Sequence, residues 1–410
     1  MKKFSLLALA IATAFSVSAQ TSVLKDAERA MKDGKEAAEV VKIITPAFSD
    51  PSTKELAQTY FIPGKASFKQ YDDLLGLSQF NKLPANGEVT MGKLLIQGYE
   101  YFVKALPLDS LPNEKGKIKP KYSKEIIGTL TGHLNDYLNA GANLYNAQDY
   151  NAAYAAWDIF INVPQIPEVK KALGAAMPTD TVFGEIAFNQ ALAAWQAEKL
   201  QESLDAFSKA KSFGYNKKQL YDYAIAVATG LENNEALLAF AKEALPLYGK
   251  EDPMYMGQVV NYYLQNKDFD KAFEVIDNAI ELEPNNAQYY VIKGVLFENK
   301  EGAENKAQAK AMYEKAVSLD PNNAQAVFNY GRQICDEAYT LADAAPTRQD
   351  EYAEYFASKI KPLFIQAAEI LENAYNLDAE NTDILRYLEN IYYNLNDEAK
   401  LNDVKKRMTY

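Results

Sequence analysis

One histidine and one cysteine in 410 residues leave little for hydrolytic or metal chemistry to work with. Structural zinc sites need several Cys or His ligands, and a Ser-His-Asp or Cys-His arrangement would have to be built on His133 alone. The stretch Leu130 to Leu138 reads as helix, which makes His133 an ordinary helix residue. A phosphate loop is excluded because Pro63-Gly64-Lys65-Ala66 lacks the upstream glycine and the hydroxyl residue after the lysine; this stretch reads as a turn. Asp268-Phe269-Asp270 lacks the alternating ligands and central glycine of an EF-hand loop and reads as a turn between helices. No acid pair stands out among the many expected on solvated helix faces, so an enzymatic reading would need such a pair hidden in a groove. The expectation is a non-enzyme with no catalytic residue, no cofactor and no metal ligand. With one cysteine no internal disulfide can form, and Cys335 reads as a small buried residue.

Long apolar runs are equally scarce. The one clear run, Phe4 to Phe15, follows Lys2-Lys3 and precedes Val17-Ser18-Ala19, which is the pattern of a secretory signal peptide over 1–19 with cleavage after Ala19. It is too short to span a bilayer, and no cysteine stands at the cleavage site to carry a lipid. The expected address is the periplasm of a Gram-negative bacterium, with full secretion as the alternative and no integral membrane segment after cleavage. Basic charge is also in deficit: 43 Lys and Arg stand against 55 Asp and Glu, a net charge of −12. Removing Lys2 and Lys3 leaves 41 against 55, or −14. A chain of that sign repels phosphate backbones, so nucleic acid is excluded as a partner. Lys115 to Lys124 is the densest basic stretch, but it is interrupted by proline and reads as a solvated loop.

What is present is repetition. Pro284-Asn285-Asn286-Ala287-Gln288 recurs as Pro321-Asn322-Asn323-Ala324-Gln325, each copy closing one apolar helix and opening another. Aligned on small and bulky positions, Met256, Tyr263, Ala272, Ile276 and Ala279 correspond to Tyr290, Phe297, Ala309, Tyr313 and Ala316, with a small insertion near Gly302. The period is about 34 residues, and Gly294 and Gly331 stand where a first helix must approach its neighbour closely. A coiled coil would hold a seven-residue phase instead, and an irregular bundle would lack the Pro-Asn-Asn punctuation.

These residues resemble the tetratricopeptide repeat family. The resemblance continues through Tyr137, Gly141, Leu144, Ala153, Trp157 and Phe160, through Ala187, Ala191, Ala194, Ser203, Phe207 and Ala210, and more weakly through Tyr221, Ala224, Leu237, Ala241 and Ala244. It implies an all-α fold, helix-turn-helix repeats stacked into a right-handed solenoid, with irregular helical repeats at the N-terminal side. The expected organisation is a signal peptide at 1–19, an irregular helical segment at 20–125, and a linking repeat and loop at 126–180. A C-terminal array at 181–410 follows, with an insertion near 336–362. Within the N-terminal segment, helices are expected over Leu24–Met31, Glu36–Ile44 and Val89–Leu106. Loops are expected over Pro107–Tyr122 and Val163–Asp180.

The resemblance implies binding in the groove lined by the first helices. Its groove positions fall here on Leu138, Ala142, Tyr145, Phe188, Leu192, Trp195, Val291, Val295, Glu298, Phe328, Arg332, Arg386, Asn390 and Tyr393. Some members clamp a partner's terminal carboxylate with Lys and Asn at such places. Here those positions are largely apolar or aromatic, so the implied ligand is an apolar segment of another envelope or exported protein, anchored on Tyr145, Trp195 and Tyr393. The same rings could equally pack against the next repeat. With 28 Tyr, 19 Phe and 2 Trp, glycan binding is the alternative function. Asp109-Ser110-Leu111 and Asp180-Thr181-Val182, both in expected loops, resemble short bacterial O-glycosylation sequons.

Overall fold

The computed structural model describes residues 22–112, 116–300 and 302–408; the signal segment at 1–19 lies outside them. Among the described residues there are helices and turns, one isolated bridge between Pro112 and Ile118, and no strand. The described residues form two compact units, divided between Asn233 and Asn234.

In the first unit, α1 (22–32), α2 (Ala37–Ile44), α3 (Ala57–Ser78) and α4 (Gly87–Asp109) are followed by α5 (Ser123–Gly132), α6 (Leu134–Asn146) and α7 (Tyr150–Asn162). Then come α8 (Pro167–Leu173), α9 (Asp180–Gln196), α10 (Leu200–Ser212) and α11 (Lys218–Gly230). The main pairings are α3 with α4, α6 with α7 and α9 with α10, and α7 also packs on α9. The second unit runs through α12 (Asn234–Tyr248), α13 (Met254–Gln265), α14 (Phe269–Leu282), α15 (Ala287–Glu298), α16 (Ala303–Leu319) and α17 (Ala324–Asp343). It ends with α18 (Gln349–Tyr355), a π-turn at Phe356–Ile360, α19 (Lys361–Leu377), α20 (Thr382–Asn394) and α21 (Glu398–Met408). Each helix from α12 to α17 packs on the next, and α17 pairs with α19.

Two kinds of turn separate these helices, and each satisfies helix-end groups that would otherwise be unpaired. Within a pair, a non-glycine residue takes left-handed backbone: Gln148 (φ 63°), Glu198 (φ 60°), Lys267 (φ 56°) and Asn396 (φ 53°). The next residue's N–H then donates back into the helix just ended, Asp149 to Leu144 O at 2.9 Å and Asp268 to Tyr263 O at 2.8 Å. Asp149 and Asp268 in turn cap the following helix by accepting from the N–H of Ala152 and Lys271. Between pairs, Asn286 accepts from Gln288 N (3.1 Å), Asn323 from Ala326 N (2.9 Å) and Asn381 from Asp383 N (3.2 Å). The Pro-Asn-Asn punctuation is thus a helix stop followed by an N-cap.

Several expectations are corrected. Pro63 and Gly64 are buried inside α3 and not in a turn. A Cβ on Gly64 would stand 2.4 Å from the Phe102 ring, so packing on α4 carries the helix through the proline. The helix expected to stop at Leu106 continues through Pro107 to Asp109. The Val163–Asp180 stretch contains α8, whose buried Val169 secures it, and α8 packs on α5. His133 breaks the helix expected to run through it, separating α5 from α6. Thr181 lies in the first turn of α9 and not in a loop, with Thr179 as its cap. The insertion is largely helical: α17 is prolonged, and α18 and the π-turn lead directly into α19, where Ile360 and Phe364 join the core around Cys335, Ala338 and Leu371.

Candidate functional site

The first helices α6, α9 and α11 present the rings of the first unit. Leu138 is half-buried, and its carbonyl accepts from Trp157 Nε1 at 3.2 Å. Tyr145 is half-buried too, its ring centroid 5.2 Å from Tyr150 and 5.9 Å from Trp157. Phe188 stacks on Tyr215 at 4.9 Å and lies 6.1 Å from Tyr223, while Trp195 meets Tyr223 edge-on at 5.5 Å. Tyr223 thus joins Phe188 to Trp195, and it is 36% exposed. Burial raises the pKa of the Tyr145 hydroxyl, with further contributions from Tyr150 and Tyr223. The structure therefore brings Tyr145, Phe188 and Trp195 of the expected groove around Tyr223, which the sequence reading did not nominate. Its signal was available: Tyr223 is two residues beyond the buried Tyr221, hence roughly 200° round the helix on the opposite face.

The second unit places its expected groove residues differently. Val291 is 1% exposed and belongs to the core with Ala309, Tyr313 and Ala326. Phe328 meets Tyr387 edge-on at 6.0 Å and packs against the core of the last repeats. Arg332 donates to Glu298 at 2.6 Å, and Gln333 donates to the same carboxylate oxygen. Its guanidinium is therefore already engaged, with Asp336 a further 3.7 Å contact. Arg386, Asn390 and Tyr393 follow the i, i+4, i+7 spacing of one helix face on α20 and are all exposed, Tyr393 at 71%. Arg386 pairs with Asp383 at 2.9 Å.

Elsewhere, His133 holds helices together. Its Nδ1 lies 2.8 Å from Asp136, its Nε2 lies 3.6 Å from Asp72, and its ring stacks on Phe68 at 5.1 Å. Asp109, in the first sequon-like triplet, is 8% exposed and accepts from the backbone N–H groups of Lys121, Tyr122 and Ser123 and from the Ser123 hydroxyl. That carboxylate pins the loop after α4 and starts α5. Among the described residues no helix is long and apolar enough to cross a membrane, and no group of three or more His, Cys, Asp or Glu could hold a metal ion.

In both units a glycine of the first helix lies beneath a bulky residue of the second. Gly141 faces Trp157, Gly294 faces Tyr313 and Gly331 faces Leu371, each too close for a Cβ. Small alanines, Ala153, Ala272 and Ala309, are fully buried on the second helices. The helix pairs are tetratricopeptide-type repeats. Among solved structures, this chain is similar to a TPR repeats protein from Bacteroides fragilis, at 18% identity over 63% of this chain and 98% of that one, with a TM-score of 0.34. It is also similar to the C-terminal part of a TPR repeat-containing protein from Cytophaga hutchinsonii, at 13% identity over 66% and 93%, with a TM-score of 0.38. A third is YrrB, described as a TPR protein with an unusual peptide-binding site, at 19% identity over 48% and 95%, with a TM-score of 0.31. These likenesses are of fold alone. No family model matches the sequence, and no curated protein matches it.

Proposed function

We infer that this chain is a non-enzymatic protein-binding scaffold of the bacterial envelope, and that the aromatic face of its first unit holds an apolar segment of a partner protein. The observation that carries the reading is the half-exposed ring cluster Phe188, Tyr215, Tyr223 and Trp195, with Tyr145 beside it. Large, rigid rings give much contact area for little lost conformational entropy, which is why Tyr and Trp dominate binding hot spots. Partial burial of these rings among one another preorganises them and lowers the entropy lost on binding.

The test is affinity capture from envelope extract with the chain lacking residues 1–19, beside a Tyr145→Ala, Trp195→Ala, Tyr223→Ala variant of verified helicity. A protein retained by the wild type and lost from the variant supports the reading; equal retention removes the site from this face. If only envelope glycans are retained, the glycan alternative takes its place. The periplasmic address rests on Lys2-Lys3, the apolar run to Phe15 and Val17-Ser18-Ala19. Fractionation with N-terminal sequencing checks it: a periplasmic chain beginning at Gln20 is expected, and a cytoplasmic chain retaining Lys2-Lys3 would sink the proposal.

A further inference from the structure

Two of the departures from uniform helix length in the second unit wall one cavity. First helices α13, α15 and α20 have 12, 12 and 13 residues, whereas α17 has 20, about two additional turns. Second helix α14 has 14 residues, whereas α16 has 17 and begins at the Gly302 insertion. The added C-terminal turns of α17 and the N-terminal half of α16 face each other across a cavity of about 840 Å³. Ala303, Ala307 and Ala311, one turn apart on α16, line it, with Leu341 contributed by the α17 extension.

The charges lining this cavity are unequally satisfied. Arg332 is held by Glu298 at 2.6 Å and Lys310 by Glu337 at 2.5 Å. Among the described residues the cation nearest the half-exposed Asp336 carboxylate is the Arg332 guanidinium at 3.7 Å, beyond hydrogen-bond range. Burial raises its pKa, and Arg332 and Lys306 offset part of that cost against Glu298. Charge is also segregated along the chain. Residues 234–410 hold 30 acidic and 18 basic residues, a net −12, whereas residues 1–233 hold 25 of each. Nearly all of the negative excess thus belongs to the unit containing this cavity, and the lining itself holds Glu298, Glu314, Asp336 and Glu337 against Lys306, Lys310 and Arg332, a balance of one negative charge that favours a cationic visitor.

We propose that this cavity takes an arginine or lysine side chain from an extended segment of a partner, with the alkyl stem lying on Ala303, Ala307 and Ala311 and the cationic head on Asp336. Such side chains bury their methylenes on apolar surface while the charge keeps a polar partner, the combination this cavity offers. From Ala303 to Glu314 the α16 wall runs 11 residues, about 16 Å, enough for the side chain and a flanking residue on either side. The site is separate from the aromatic face of the first unit, so either can fail without the other.

Titration calorimetry of the chain lacking residues 1–19 with the blocked peptide Gly-Ala-Arg-Ala-Gly, beside its glutamate counterpart, tests this. The arginine peptide is expected to bind and the glutamate peptide not. Asp336→Asn should weaken binding about tenfold, the loss expected for one hydrogen bond to a charged group. Ala307→Trp, which fills the cavity, should abolish it, with the melting temperature of each variant recorded as a control. Should Asp336→Asn fail to fold, Ala307→Trp decides alone. Equal binding of both peptides, no binding at millimolar peptide, or undiminished binding by Ala307→Trp would each overturn the proposal, the last by showing diffuse attraction to the acidic unit.

Discussion

Gly141 and Trp157 compete for the same space: a Cβ built on the glycine would lie 2.2 Å from the indole Nε1, which donates to Leu138 O one turn away. The first helix of this repeat can therefore lie on its second helix only if position 141 has no side chain. Gly141→Ala should cost about 1–3 kcal/mol by overpacking, because neither ring nor backbone can retreat without losing that hydrogen bond. Gly128→Ala, in α5 with nothing within 4 Å of the added carbon, should be neutral or stabilising by up to about 1 kcal/mol. Urea denaturation of the two variants distinguishes the cases, and equal effects would remove the close-approach argument.

Asp109 gives a pH-dependent counterpart. Burial opposes its charge, but the hydrogen bonds from Lys121, Tyr122 and Ser123 outweigh that and hold its carboxyl below the usual carboxylate range. A folded pKa below the unfolded value of about 3.9 means stability that is full above that pH and lost as pH falls through the folded value. Asp109→Asn should therefore destabilise by about 1–3 kcal/mol at pH 7, with the two proteins converging towards pH 3. A constant gap across that range would show that the carboxylate's charge is not what matters.

The punctuation residues have a measurable worth. Asn286→Ala and Asn323→Ala each remove the acceptor for a first-turn N–H and should cost about 1 kcal/mol, whereas Asn323→Asp, which keeps an acceptor, should cost much less. Thermal melts of the three variants check this.

Cys335 should be inert in the folded chain. It is fully buried, and burial followed by the charge of Asp336 pushes its thiol up to about 12, so at pH 8 it is both protonated and inaccessible. Ellman's reagent should titrate no thiol before denaturant is added and one after it; immediate reaction would contradict the placement of Cys335 in the core.

Much of the repeat core was legible in the sequence because its determinants are local. Gly294, Gly331, Ala272, Ala309 and the two prolines recur at fixed offsets, and Gly294 meets Tyr313 on the very next helix. The left-handed turn residues were not legible, since Gln148, Glu198 and Lys267 share no residue type that announces a positive φ. Pro63 misled for the converse reason: a local turn signal was overruled by the packing of Gly64 on Phe102.

The candidate surfaces divide the same way. The sequence by itself determined the punctuated repeat helices, their pairing and the small residues at their crossings, because a repeat protein is stabilised mainly between neighbours along the chain. Only the tertiary structure decided that Val291 is buried, that Tyr223 joins Phe188 to Trp195, and that Arg332 is bound by Glu298 and leaves Asp336 poorly paired. Those outcomes depend on side chains from three or more helices meeting at one point, and no helical periodicity within a single segment encodes where such a meeting falls.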